Sequence, residues 1–216
     1  MAAAYSWFES RAKGVVMFGN MRVLAVVLGL AMLPVLPVRA ASESTGAPEF
    51  SPQQIAGAVS KLISATIGDC AVVFSKSSAH KHYSLADIEW MILPAVVTGQ
   101  VYVAEAQHKE NGARVPVAVV LWARVSAETD QRLTANFGQK IRLRPGEWQS
   151  GDIFWIIDVA GDPQAIEIAL RQLSVTVFKD VPTRIVVADT QGQPSVAFLQ
   201  DVIRPTPHDN TVARAG

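Results

Sequence analysis

Residues 101–125 read VYVAEAQHKENGARVPVAVVLWARV, and their pattern decides what kind of fold the chain adopts. Two runs rich in β-branched residues, 101–106 and 115–125, flank His108-Lys109-Glu110-Asn111-Gly112, which has the polar and glycine character of a turn. This predicts an antiparallel hairpin. Downstream, 152–159 predicts another strand through Ile153, Phe154, Trp155, Ile156 and Ile157, and 184–188 and 195–199 predict a second hairpin around Thr190-Gln191-Gly192-Gln193. Helices fill the intervals. Ser51-Pro52 reads as an N-cap with proline in the first turn, followed by Ile55, Val59, Leu62 and Ile63 on one face. Ser84 and Asp87 imitate a capping box ahead of the stripe Leu85, Ile88, Ile92 and Val96, which Pro94 kinks or ends. Residues 127–136 read as a helix with an exposed polar face. Asp162-Pro163 restarts a helix whose buried side is Ile166, Leu170, Leu173 and Val177. The order is helix, helix, hairpin, helix, strand, helix, hairpin. It predicts an α+β domain, a mixed and mainly antiparallel sheet with helices packed against it.

Composition narrows the function classes. Nineteen Lys+Arg balance 19 Asp+Glu for a formal net charge of zero, so the pervasive phosphate attraction of a nucleic-acid binder is not expected. The single cysteine, Cys70, excludes an internal disulfide framework and a zinc site built on several thiolates. Its apolar setting, Cys70-Ala71-Val72-Val73-Phe74, predicts a buried small hydrophobe. No glycine-rich turn cradles a phosphate, and there is no Gly-x-Ser-x-Gly elbow.

The first 50 residues read differently from the rest. The uncharged stretch 23–38 follows Arg11, Lys13 and Arg22 and ends in Val38-Arg39-Ala40-Ala41, the pattern of a secretory signal within 21–41. It is short for a membrane span, which needs about 20 apolar residues, and Pro34 and Pro37 interrupt it. A start at Met21 or further downstream is the competing reading. Residues 42–51 read as a linker. The expected organisation is a signal-like or misassigned segment with linker over 1–50, a domain over 51–203 and a flexible tail over 204–216.

Three blocks carry a resemblance. His80-Lys81-His82-Tyr83-Ser84-Leu85 is followed at family spacing by Ile92-Leu93-Pro94-Ala95; Trp122-Ala123-Arg124-Val125-Ser126 comes next; then Glu147-Trp148-Gln149-Ser150-Gly151-Asp152 leads into Trp155-Ile156-Ile157-Asp158. In this order they resemble the RTX toxin-activating lysine acyltransferases over residues 77–200. The resemblance implies a GNAT-like acyltransferase variant of the sheet, a homodimer, and cytoplasmic transfer of an acyl group from acyl carrier protein to internal lysines of an RTX protoxin. It implies no metal and no cofactor, acyl carrier protein being a co-substrate. It also implies that His80 and Asp158 are catalytic.

The chemistry suits those residue types. A lysine amine, with a pKa of about 10.4, is protonated at neutral pH and cannot attack a thioester. Histidine, titrating at about 6.5, is suited to take that proton and pass it to the leaving thiolate. Asp158 would orient the imidazole and stabilise its charged form. Direct transfer and a covalent acyl-histidine both remain open. His82 reads as a solvated neighbour, Asp152 and Asp162 as turn and cap residues, and Trp122, Trp148 and Trp155 as core anchors. Acyl carrier protein is acidic, and Lys140, Arg142 and Arg144, alternating with Ile141 and Leu143, form the densest basic cluster to receive it. Two departures stand out. Met91 occupies a position where the family often has asparagine, removing a hydrogen-bonding group near the site, and the loop 108–114 is longer than is typical. The signal-like segment supports a rival reading, an exported non-enzymatic binding domain on a degenerate acyltransferase scaffold.

Overall fold

Ser51 starts the first long helix as its side chain predicts: its hydroxyl accepts from the Gln54 amide at 3.2 Å, while the Gln54 side chain accepts from the Ser51 amide at 2.8 Å. This reciprocal cap satisfies two of the orphan donors of helix α1, Pro52–Lys76. The computed structural model describes residues 15–18, 50–137, 142–188 and 191–203, the first of these as backbone alone. Only the C-terminal part of α1 is buried, through Cys70, Val73 and Phe74, whereas Ile55 near its start is exposed.

After α1 come α2 (Leu85–Asp87), a π-helical turn (Ile88–Ile92) and α3 (Leu93–Val97). Pro94 does not end this helical run. The wider π turn, closed by the Leu93 amide on Ile88 O, precedes the proline, whose missing N–H and ring would strain a regular α turn. Strands β1 (Val15–Phe18), β2 (Val101–His108), β3 (Arg114–Val125), β4 (Ile153–Gly161), β5 (Thr183–Ala188) and β6 (Pro194–Phe198) make one sheet in that order. β1 adds an edge strand upstream of Ser51, where the sequence reading placed no element of the domain. Helix α4 (Ala127–Ala135) follows β3, α5 (Pro163–Val175) joins β4 to β5, and α6 (Leu199–Val202) closes the described chain.

All neighbouring strands are antiparallel except β4 and β5, which pair in parallel at Phe154 with Thr183 and Trp155 with Arg184. The α5 crossover makes this possible, since parallel neighbours need a long connection and a helix supplies it. The result is the expected α+β fold, and the single parallel pair is compatible with a GNAT-like sheet.

Both faces of the sheet are covered. On one, Cys70, Val73 and Phe74 of α1 and Met91, Ile92, Ala95 and Val96 pack on Val119, Leu121 and Val125 of β3, with Trp148 and Trp155. On the other, Leu170 and Leu173 of α5 and Phe178 pack on Val120, Trp122 and Ile156. β3 therefore reads as a near-continuous apolar run because alternate residues serve opposite cores. Trp122, Trp148 and Trp155 are core anchors, none more than 4% exposed.

One irregularity decides what faces the α1 side. Leu121 pairs with Asp158 and Trp122 with Ile156, leaving Ile157 as an extra residue in β4. Ile156 and Val159 belong to the α5-side core, and Trp155, Ile157 and Ala160 to the α1-side core. The bulge restarts the alternation, so Ile157 and Asp158 both turn to the α1 side.

Candidate active site

α1 stops at Ser77, whose amide donates to Phe74 O at 3.1 Å, and the chain then tightens: the His80 and Lys81 amides donate to Ser77 O and the Tyr83 amide to His80 O. This turn folds the His80 ring inward, edge-on to Phe74 at 4.8 Å between centroids, leaving the residue 8% exposed.

From the sheet, Asp158 meets it. His80 Nε2 lies 2.9 Å from Asp158 Oδ1, and the Val159 amide donates to that same oxygen at 2.8 Å. Tyr83 donates its hydroxyl to Asp158 Oδ2 at 3.3 Å. On the far side of the ring, Ser77 Oγ is 2.7 Å from His80 Nδ1. One tautomer satisfies every contact: Nε2–H donates to the carboxylate, and Nδ1 accepts from the serine hydroxyl. Burial, reinforced by the charge of Asp158, pushes the Tyr83 phenol up to about 12, so it remains a donor. The array can therefore receive a proton at Nδ1 and stabilise the resulting imidazolium through Asp158.

The structure brings His80 and Asp158 together as the sequence reading expects. It adds Ser77 and Tyr83, which that reading missed. Their signal was local: both stand three positions from His80, where one turn of chain returns to the same ring.

Other residues fall elsewhere. His82 is exposed; Asp152 pairs with Arg124; the Asp162 carboxylate caps α5 by accepting from the Ala165 amide at 3.0 Å. Arg142 and Arg144 are both exposed on either side of buried Leu143, but Arg142 is engaged, 3.3 Å from Asp87 Oδ1 and over the Trp90 ring. Lys140 lies outside the described residues. Met91 sits in the core at 1% exposure. Cys70 is fully buried, and burial followed by the charge of Asp69 pushes its thiol up to about 12, which makes it a poor nucleophile. Among the described residues, no group of three or more His, Cys, Asp or Glu side chains is arranged to hold a metal ion.

A mixed sheet presenting a carboxylate-backed histidine defines a class of acid–base sites, and comparison with known proteins narrows it. The chain belongs to the RTX toxin acyltransferase family, whose profile matches residues 61–200 and so includes both His80 and Asp158. It is 32% identical over 92 residues to the leukotoxin-activating lysine-acyltransferase LktC serotype A1 of Mannheimia haemolytica, an alignment covering 43% of this chain and 50% of that protein. It is 30% identical over 92 residues, with the same coverage of 43% and 50%, to the protein-lysine myristoyltransferase RtxC of Kingella kingae. The chain spans about half the length of the curated relatives it matches.

Proposed function

We propose that this protein moves a fatty acyl group from acyl carrier protein to internal lysine side chains of an RTX-type protoxin. The observation that carries the reading is the hydrogen-bonded His80–Asp158 pair, 2.9 Å apart, inside the segment matched to the family. The names of the relatives, one a lysine acyltransferase that activates a leukotoxin and one a protein-lysine myristoyltransferase, support a lysine acceptor and a fatty acyl group.

In this reading His80 takes a proton from the incoming ammonium at Nδ1, with the Ser77 hydroxyl as relay, and Asp158 holds the imidazolium. The neutral Nζ attacks the thioester carbonyl, the C–N bond forms and the C–S bond breaks. His80 returns its proton to the departing thiolate. The second proton, shed by nitrogen as the amide forms, goes to solvent. Acyl carrier protein, being acidic, docks on the basic segment that includes Lys140, Arg142 and Arg144. Arg144 is the better anchor of the two described arginines, because Arg142 is already spent on Asp87. The reaction belongs in the cytoplasm, where donor and unsecreted protoxin reside.

The test is incubation of the purified full chain with acyl-loaded carrier protein and an RTX-type protoxin, followed by mass spectrometry of the protoxin lysines. Acylated internal lysines are expected, with loss of about two to four orders of magnitude in rate for His80→Ala. A folded wild-type protein that leaves every lysine unmodified overturns the reading.

A further inference from the structure

The carboxylate of Asp158 has two oxygens, and their surroundings differ. Oδ1 takes two donors, His80 Nε2 at 2.9 Å and the Val159 amide at 2.8 Å. Oδ2 takes the Tyr83 hydroxyl at 3.3 Å. A carboxylate bonded at one oxygen alone can turn about its terminal torsion, which is broad, and swing its acceptor out of line with the imidazole N–H. A donor on the second oxygen opposes that rotation.

Tyr83 is well placed to be such a donor. It comes from the same turn as His80, three residues on, and its backbone amide is tied to His80 O at 2.8 Å. Its ring lies edge-on to His80 at 5.1 Å and stacks on Phe74 at 6.1 Å, so three aromatic rings fix one another while the imidazole and the phenol both reach the strand. Histidine and tyrosine thus grip opposite oxygens of one carboxylate. The charged groups about the phenol are Asp158 from β4 and Asp87 from α2, the latter already paired with Arg142.

We infer that Tyr83 is a positioning residue: its hydroxyl holds the Asp158 carboxylate in line with the imidazole, so that the bond from Nε2–H to Oδ1 stays aligned and favours the proton on Nε2 and the lone pair on Nδ1. At 3.3 Å the bond is longer than the usual range of about 2.5–3.0 Å for O–H···O, so the phenol acts by restricting rotation more than by withdrawing charge. The phenol bonds Asp158, whereas the two ring nitrogens of His80 meet Ser77 and Asp158. The phenol's high titration point keeps it protonated, and therefore a donor, throughout the working range. The catalytic consequence rests on the acyl-transfer reading; the geometric one does not.

The test is Tyr83→Phe in the full chain, which keeps the ring and its packing and deletes only the hydroxyl. Two readouts are needed. Nitrogen-15 NMR of the His80 ring, taken without substrate, should show wild type protonated at Nε2 and the variant drifting towards a mixture of tautomers. Acyl transfer should fall about three- to tenfold in kcat with KM for acyl carrier protein unchanged. An unaltered tautomer in Tyr83→Phe overturns the inference, whatever happens to the rate, because a rate loss alone reports general damage. A wild-type protein that transfers no acyl group but whose tautomer responds to the substitution sinks the acyl-transfer reading and leaves the positioning role standing.

Discussion

His80 Nε2 and Asp158 Oδ1 stand 2.9 Å apart across 78 positions of chain. The contact exists because a turn after α1 folds the ring in while a bulge in β4 turns the carboxylate up. Neither residue is positioned by its own element alone, so the pair should behave as one unit in kinetics. Asp158→Asn should lower kcat about 10- to 100-fold, since a charge-assisted hydrogen bond to the imidazolium is lost. The double variant with His80→Ala should be little worse than His80→Ala by itself. Multiplicative losses in single-turnover acylation would show that the two act separately.

Asp130 joins three elements. It is 8% exposed, accepts from Trp155 Nε1 at 2.7 Å, and pairs with Arg184 Nε at 2.8 Å, just where β5 lies parallel to β4. Asp130→Ala leaves a buried indole N–H and a half-buried guanidinium without their acceptor. Urea denaturation should register a loss of about 2–4 kcal/mol. A change under about 0.5 kcal/mol, the size of an ordinary surface substitution, would show that water replaces the carboxylate.

Gly161 ends β4 three residues after Asp158 with φ of +124°, and a Cβ there would run into the carbonyl of Val117 and the backbone of Ala118. Both the torsion and the close approach exclude a side chain. Gly161→Ala should cost at least about 2 kcal/mol in the same measurement and reduce acyl transfer, because the end of β4 must move. Gly57, whose Cβ would meet nothing within 4 Å on the exposed part of α1, is the control. Gly57→Ala should be neutral or slightly stabilising.

Asp87 supplies a pH-dependent prediction. Hydrogen bonds from Trp90, first, and then from the Ser84 amide and hydroxyl hold its carboxyl down to about 2. A depressed folded value means the unfolded chain binds the proton more readily. The stability from Asp87 is therefore complete above the ordinary value of about 3.9 and is lost as pH falls towards 2. Asp87→Asn should flatten the stability–pH curve between pH 4 and 2 and leave its slope above pH 5 unchanged, measured by denaturant titration at stepped pH.

What the amino-acid sequence determined by itself is everything set by near neighbours. Ser51 and Asp162 cap the helices they precede because capping needs only a side chain and an amide three residues on. Cys70 is buried because its helix has one apolar face, and Arg142 and Arg144 share a side because alternate residues of an extended segment do. His80 and Asp158 were legible only through the resemblance of their motif blocks to those of a known family. Tertiary structure decided the rest. Strand periodicity is blind to an extra residue such as Ile157, yet that residue selects the face on which Asp158 emerges. Ser77 and Tyr83 gain meaning only once a carboxylate arrives from another element, and Arg142 leaves the pool of free cations only because Asp87 comes beside it. Hydrogen bonds between distant segments depend on direction in space, and that direction is fixed by packing of the whole sheet.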